Sequence, residues 1–360
     1  MKQVLFVVHL DKFTQDFYRF ICSYFKKQDN YFLFYGSQHE FDFEVDDNRV
    51  FWCDSYDALK KHSIVKVAKK CDLILYSGLF GSENCVKKFG FNSLKKTYIH
   101  LWGGDFYVFR KLNSYGCRTK IKFFFRRFVI DHAAGIINLL PDEYLDLCKL
   151  CRPKGISFVA PMCGDGSVIE LINSLKDSGK SVSPVKILLG NSATDSNQHV
   201  KALKMLEKFK NENIKIICPL SYGDETYRNK VIDFGKRIFG EKFYPIVSYM
   251  DKEQYYGIIA GCTIAIFNNN RQQAIGNINA ALALNCKVFI RNDTPMWNTY
   301  YEERKMELYN VEDIEHMNFS DFICLKPNNN YSKYLEYADI TKRILSWQKI
   351  FDSVEECNEQ

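Results

Sequence analysis

The sequence has no run of 18 uninterrupted apolar residues. Its longest uncharged stretch, Gln254–Asn270, is broken by Tyr, Gly, Thr and Asn, so no transmembrane helix is expected. Proline (8) and glycine (19) are scarce in 360 residues and low-complexity tracts are absent, which excludes a fibrous or disordered chain. No G-x-x-x-x-G-K-[ST], G-x-S-x-G or H-E-x-x-H occurs, which speaks against a P-loop NTPase, an α/β-hydrolase and a zinc protease. No G-x-G-x-x-G follows the apolar run Val4–His9, which weakens a nicotinamide dehydrogenase. The apolar stretch Val4–Leu10 is too short for a secretory h-region, contains His9 and leads straight into Asp11. The thirteen cysteines, an odd number, then read as free thiols in a reducing cytosol. Cys148-Lys-Leu-Cys151 is a lone CxxC, so neither a metal nor a cofactor is expected.

What is present is ample core: 46% hydrophobic residues, with 29 Phe, 22 Tyr and 4 Trp. The length suits two domains of about 150–180 residues. The net charge of +6 admits an anionic small ligand or an anionic membrane surface without pointing to nucleic acid. β-Branched or aromatic runs alternate with helical-period segments throughout. Expected strands are Val4–His9, Tyr31–Tyr35, Val50–Cys53, Leu73–Ser77, Thr97–Trp102, Gly135–Leu139 and Ser157–Ala160, then Val185–Leu189, Ile214–Pro219, Tyr244–Val247, Thr263–Phe267, Lys287–Ile290 and Phe322–Leu325. Helices expected between them include Thr14–Lys27, Tyr56–Lys70, Glu225–Phe239 and Gln273–Asn285. Such alternation means parallel sheets with right-handed crossovers. The expectation is an α/β chain of two Rossmann-like domains facing across a cleft, 1–178 and 179–330, with the seam in the polar stretch Lys176–Pro184. Segment 331–360 would pack back on the first domain.

In such sheets ligands sit beyond the carboxyl ends of strands. Polar clusters follow several of them here. In the loop after Val185–Leu189, Gly190 permits a tight turn, and Asn191, Ser192 and Asn197 offer short polar groups to a phosphate. An ordinary capped turn is the alternative. After Thr263–Phe267 come Asn268-Asn269-Asn270-Arg271-Gln272-Gln273, then Gly276 and Asn277 in the next helical turn. There Arg271 would add to the helix dipole in holding a pyrophosphate. Ser221 and Tyr222 follow a third strand, and Tyr222 is a candidate to stack on a base or sugar. In the first half, Trp102-Gly103-Gly104-Asp105 brings backbone and an acid to a strand end, with Asp105 either a general base or a turn aspartate. Residues 106–130 hold seven basic side chains and no acid, with Lys120, Lys122, Phe124, Arg126 and Arg127 in one run. Basic residues interleaved with Phe suit an anionic, half-apolar membrane boundary, and a core helix with a solvated basic face is the alternative.

In chain order the sequence holds Gly78-Leu-Phe80, Trp102-Gly-Gly-Asp105, Ile187-Leu-Leu-Gly-Asn-Ser192 with Ser196-Asn-Gln-His199, Cys218-Pro-Leu-Ser-Tyr-Gly223, Arg271-Gln-Gln-Ala-Ile-Gly276 and Asn292 with Pro295-Met-Trp297. The pattern resembles the TDP-N-acetylfucosamine:lipid II N-acetylfucosaminyltransferase family, the bacterial 4-acetamido-4,6-dideoxygalactosyltransferases of glycosyltransferase family 56. The resemblance is strongest over 185–305. Ala193 and Ala274 stand where the family has Gly, and Thr194 where it has Asp. The resemblance implies a metal-independent GT-B glycosyltransferase that takes a dTDP-activated amino-deoxysugar and a polyprenyl-diphosphate-linked saccharide acceptor. It implies peripheral placement on the cytoplasmic face of the inner membrane. A GT-B transferase using a UDP or GDP sugar and a non-catalytic nucleotide-sugar-binding protein are the alternatives.

Overall fold

The computed structural model describes residues 3–11, 13–25, 29–36, 45, 47–54, 59, 63–161, 167–177, 179–180 and 183–356. The chain forms two compact units, Met1–Asp165 with Ile340–Gln360, and Gly166–Asp339. Strand β1 (Gln3–His9) carries five consecutive residues, Val4–Val8, all essentially without solvent contact. A strand apolar on both faces belongs in the middle of a parallel sheet covered on both sides. Its neighbours are β2 (Asp29–Tyr35) and β4 (Leu73–Ser77), both parallel to it. With β3 (Val50–Cys53), β5 (Thr97–His100), β6 (Gly135–Asn138) and β7 (Ile156–Val159) the order is β3-β2-β1-β4-β5-β6-β7.

Helix α1 (Thr14–Tyr24) packs on one face of this sheet through Phe17, Phe20 and Ile21. Helix α2 (Ile64–Lys70) supplies Ile64 and Ala68 to the core on the other face. That core also takes Val129 and Ile130 from α3 (Cys117–His132) and Leu147 from α4 (Glu143–Leu150). The expected helix Tyr56–Lys70 is seen only from Ile64, since residues 55–58 and 60–62 lie outside the described residues.

The second unit begins earlier than the expected boundary at 178/179. Helix α5 (Ser167–Leu175) belongs to it: Tyr331 OH donates to Asn173 Oδ1 (2.6 Å), and the Lys176 ammonium lies 4.9 Å from the Tyr331 ring. The polar seam Lys176–Pro184 is thus internal to this unit, and its residues 178, 181 and 182 lie outside the described ones. The sheet that follows has the order β10-β9-β8-β11-β12-β13, all parallel. Its strands are β8 (Val185–Leu189), β9 (Ile214–Pro219), β10 (Phe243–Ile246), β11 (Ile264–Phe267), β12 (Lys287–Ile290) and β13 (Tyr309–Asn310).

Helices α6 (His199–Leu206), α7 (Glu225–Phe239), α8 (Lys252–Ala260) and α9 (Ile275–Ala283) alternate with those strands. The expected strand Phe322–Leu325 is instead the end of a short helix, Phe319–Ile323. Asn318 caps that helix by accepting from Asp321 N, and Phe322 is buried against Phe209 and Phe289.

The tail divides. Helix α10 (Asn330–Ala338) stays with the second unit, while α11 (Ile340–Glu356) lies on the first sheet. Its Trp347, Ile350 and Phe351 join Phe6, Phe17 and Phe25 in one core cluster, and Trp347 Nε1 donates to Pro161 O (3.3 Å).

Candidate functional site

In the second sheet the chain changes direction of build between β8 and β11, the point where open α/β sheets hold ligands. The loops leaving these two strands are tied together. Gly190 has φ +72°, and a Cβ there would stand 2.3 Å from His199 Nε2 and 2.9 Å from Asn197 Oδ1, so only glycine fits. Asn191 N donates to Asn197 Oδ1 (3.0 Å). Gln273 is the hub. Its Nε2 lies 3.0 Å from Ser192 Oγ, 3.0 Å from Thr194 Oγ1 and 3.2 Å from Asn191 Oδ1, while Ser196 Oγ donates to its Oε1 (2.6 Å). Asn270 N donates to Ser196 O (2.9 Å).

The third loop joins through Tyr222, whose OH receives Asn191 Nδ2 (3.0 Å) and whose carbonyl receives Ala193 N (2.7 Å). Ser221 is half-buried beside it. Desolvation raises the Tyr222 phenol above its ordinary value against the pull of Asn191, Ser192 and the Arg271 charge.

Arg271 is half-buried, with Nη1 donating to Gln272 O (2.8 Å), just before α9. Gly276 is exposed on the first turn, where a Cβ would meet nothing. Asn277 turns its Nδ2 to Tyr255 OH (2.7 Å), so that amide braces α9 rather than facing outward. Beneath this surface Asn268 Oδ1, both amide atoms of Asn269 and Gln272 Oε1 are buried without a protein partner. Backbone N–H groups at a helix start, neutral donors and a guanidinium together can hold a diphosphate. Gly190, Asn191, Ser192, Asn197, Tyr222, Arg271, Gln272 and Gln273 are therefore brought into one place. Thr194, Ser196 and Asn269 are further members, marked in the sequence only by sharing those polar loops.

In the first sheet the equivalent point lies between β1 and β4. Asp105, expected to face a substrate, is fully buried: Oδ1 accepts from Leu79 N (2.7 Å) and Oδ2 from Trp102 N (2.6 Å). Burial raises its pKa to about 6, opposed by those two N–H groups and by Arg126. The carboxylate thus fastens the Gly78–Phe80 turn to the Trp102–Gly104 turn and is closed to solvent. Gly78 (φ +73°) and Gly104 make room for Phe80, since a Cβ on either would lie 3.0–3.1 Å from its ring. Gly103, also at φ +73°, caps the turn that carries Asp105, and Trp102 is half-buried with its ring 5.8 Å from Phe13. His9, at the carboxyl end of β1, was absent from the expected site. Its ring stands edge-on to Phe80 at 5.4 Å, and it is partly exposed.

The basic run folds into α3, and its cations part ways. Arg126 is buried in an ion pair with Glu83 (3.0 Å), and its Nη1 reaches Asp105 O (3.5 Å), so it is a core residue and not a surface one. Arg127 is half-buried near Asp131 (3.8 Å), and Arg110 pairs with Asp146 (3.2 Å). Lys122 is exposed and Lys120 half-buried. Phe123 packs on Tyr115, whereas Ile121 (68% exposed), Phe124 (57%) and Phe128 (39%) face outward. Phe91 (55% exposed), from the turn before β5, stands edge-on to Phe128 at 5.8 Å, and Lys87 lies over Phe125 at 4.2 Å. The result is an apolar patch rimmed by lysines. Among the described residues no helix is long and apolar enough to cross a membrane.

Comparison with known proteins gives two findings. A family model described as 4-alpha-L-fucosyltransferase, glycosyl transferase group 56, matches residues 16–322. Among solved structures, sucrose-phosphate synthase from Thermosynechococcus elongatus superposes with TM-score 0.68 at 8% identity, over 99% of this chain and 100% of that one. A UDP-forming α,α-trehalose-phosphate synthase from Burkholderia xenovorans, in complex with glucose-6-phosphate, gives 0.65 at 7% identity, over 98% and 100%. A trehalose-6-phosphate protein from E. coli, bound with UDP-2-fluoro glucose, gives 0.62 at 11% identity, over 98% of each chain. The shared architecture is the GT-B fold.

Proposed function

Because this chain belongs to glycosyltransferase group 56, we propose that it moves a 4-acetamido-4,6-dideoxyhexose from a dTDP-sugar to a polyprenyl-diphosphate-linked saccharide. The setting would be the cytoplasmic face of the inner membrane, in bacterial surface polysaccharide synthesis (O-antigen or common antigen). That it is a glycosyltransferase follows from the family. The sugar, base and acceptor come from the resemblance carried by the Gly190, Tyr222 and Arg271 clusters.

The observation that carries the donor assignment is the three-loop network centred on Gln273, with Arg271 at the start of α9. The donor diphosphate lies there in this reading, with Gly190 and Gly276 leaving backbone open to it. The acceptor hydroxyl oxygen attacks the anomeric carbon as the bond to the diphosphate breaks. Arg271 and the α9 N–H groups stabilise the charge that collects on the leaving phosphate. The acceptor is assigned to the first unit, at the turn Trp102, Gly103 and Gly104, whose Gly104 lies against Phe80. The Phe91–Ile121–Phe124–Phe128 patch with its lysines supports contact with an anionic membrane, where a polyprenyl-linked substrate resides.

Calorimetric titration with dTDP, UDP, GDP and CMP tests this reading. We expect dTDP to bind best, and Arg271→Ala to weaken it about 10- to 150-fold, the loss of a charge-assisted contact of about 1.5–3 kcal/mol. Unchanged dTDP affinity in folded Arg271→Ala removes Arg271 from the site. Preference for UDP favours a second reading, a transferase using a UDP-sugar. The E. coli structural neighbour bound with UDP-2-fluoro glucose speaks for that reading.

A further inference from the structure

The Gly190–Asn197 loop is held from the inside of its unit as well as by its neighbouring loops. His199, the first residue of α6, is fully buried, and its Nε2 lies against the Gly190 turn, in the space a Cβ there would claim. That nitrogen has no protein partner. The other one, Nδ1, lies 3.3 Å from Tyr227 OH, and the same hydroxyl accepts from His199 N (3.2 Å). A main-chain N–H can only donate, so it occupies a lone pair of the hydroxyl oxygen. Among the described residues that hydroxyl meets no acceptor except Nδ1. It therefore gives its own hydrogen to Nδ1, and the neutral imidazole carries its hydrogen on Nε2.

The other two loops of the site reach the same imidazole. Tyr227 stands in the first turn of α7, where its N donates to Asp224 Oδ1 (2.6 Å), and Asp224 N donates to Ala193 O (2.8 Å). From the loop after β11, Asn268 Nδ2 donates to Gln198 O (3.3 Å), next to His199. Gln198 has φ +52°, a left-handed conformation that a non-glycine residue keeps only where its surroundings fix it. A leucine or phenylalanine would fill the space under Gly190 without burying an N–H that lacks an acceptor, an arrangement that costs stability. A polar ring kept there at a cost, and bonded to a neighbouring loop's helix, is suited to setting a backbone conformation. We infer that His199 and Tyr227 are positioning residues for the donor diphosphate. They act through the Gly190–Asn197 loop, holding it in its binding form before the donor arrives, so that little ordering remains to weaken the complex. This rests on the transferase reading above and separates recognition of the diphosphate from recognition of the nucleoside.

The test uses the full chain and compares dTDP with thymidine by calorimetry. Tyr227→Phe removes one hydroxyl and keeps the ring. It should weaken dTDP about 3- to 10-fold, the worth of one neutral hydrogen bond, and leave thymidine within about twofold of wild type. His199→Ala should weaken dTDP further, and Tyr227→Phe should cost less in that background than in wild type, because the two residues act as a unit. A residue that only stabilises the fold would lower the melting temperature and leave the ratio of dTDP to thymidine affinity unchanged. Long-range ¹H–¹⁵N spectra at neutral pH, with His199 assigned by its loss in His199→Ala or His199→Asn, should show the hydrogen on Nε2. In Tyr227→Phe that preference should weaken. An unchanged affinity ratio in folded Tyr227→Phe, an equal loss for thymidine, or a wild-type hydrogen on Nδ1 each overturns the proposal. The tautomer decides even where a His199 variant fails to fold. If UDP is the tighter ligand, UDP and uridine take the places of dTDP and thymidine. If wild type binds no nucleoside diphosphate at all, it is the donor reading that falls.

Discussion

At the scale of single residues, the site is built on backbone conformations that only some side chains tolerate. Ala274 begins α9 at φ +62°, in the left-handed region that costs a non-glycine residue about 1–2 kcal/mol. Ala274→Gly should relieve that strain, less the extra freedom glycine gives the unfolded chain, for a net gain of about 0.5–1 kcal/mol. Gly223 is the converse. It lies at φ +120° with a built Cβ 2.5 Å from Ala193 O, where the two loops pair. Gly223→Ala should lose more than about 2 kcal/mol, as expected when strain and a backbone clash combine, and should weaken dTDP binding by parting those loops. Urea denaturation and calorimetry check both; an Ala274→Gly protein no more stable than wild type denies the strain. The sequence alone shows Ala where the resembling family has Gly, but its cost appears only with the torsion angle. Asp105 was legible as an acid at a strand end, yet not as a buried one. The two N–H groups that seal it come from Leu79 and Trp102, and Leu79 lies 26 positions upstream.

At the scale of elements, α3 shows how a charge run misleads when the helical period is not applied to it. Phe123, Arg126, Val129 and Ile130 recur at spacings of three and four and therefore share the inward face. The acid that makes a buried Arg126 tolerable, Glu83, is 43 residues away, so no local pattern announces it. What remains outside is Ile121, Lys122, Phe124 and Phe128, joined by Phe91 and Lys87.

The proposed membrane contact would use this set. Each exposed lysine near an anionic surface is worth about 1 kcal/mol. The protein should sediment with phosphatidylglycerol vesicles at low salt and release at high salt. Ile121→Ser with Phe124→Ser, or Lys87→Ser with Lys122→Ser, should each reduce sedimentation several-fold without changing dTDP affinity. Undiminished sedimentation of both double variants would place the contact elsewhere. Among strands, the long apolar ones were plain from composition. β13 has two residues and gave no periodic signal, and Phe322–Leu325 mimicked a strand because Phe322 and Ile323 neighbour each other in a helix that Asn318 starts.

At the scale of the whole molecule, alternating strands and helices announced two parallel sheets. The strand orders, and the return of α11 to the first unit, depend on tertiary pairing that strand spacing does not encode. The two units should respond differently to acid. Burial holds His100 in the first unit and His199 in the second down to about 4. Between pH 6.5 and 4 the unfolded chain binds protons these histidines refuse, so the stability each contributes is present above 6.5 and lost as pH falls. Asp105, raised to about 6 chiefly by burial, has the opposite sign: its contribution is full below 3.8 and lost as pH rises through 6. Asp47 and Asp293, held below their ordinary value by Arg49 and Arg291, act only below pH 3.8 and do so in both units.

Among the described residues, therefore, His100 and Asp105 largely offset each other in the first unit, while His199 in the second is unopposed. From pH 7.5 to 4.5 the second unit should lose about 2–3 kcal/mol and the first less than about 1, at 1.36 kcal/mol per pKa unit. Scanning calorimetry at the two values reads this as two transitions moving apart, since separate units need not melt together. Trp347→Ala identifies the first unit's transition: truncating this fully buried indole, packed on Phe17 and His100, should cost about 3–5 kcal/mol there. Transitions that fall equally on acidification, or a larger fall in the one that Trp347→Ala marks, would show that His199 titrates without the penalty its burial implies.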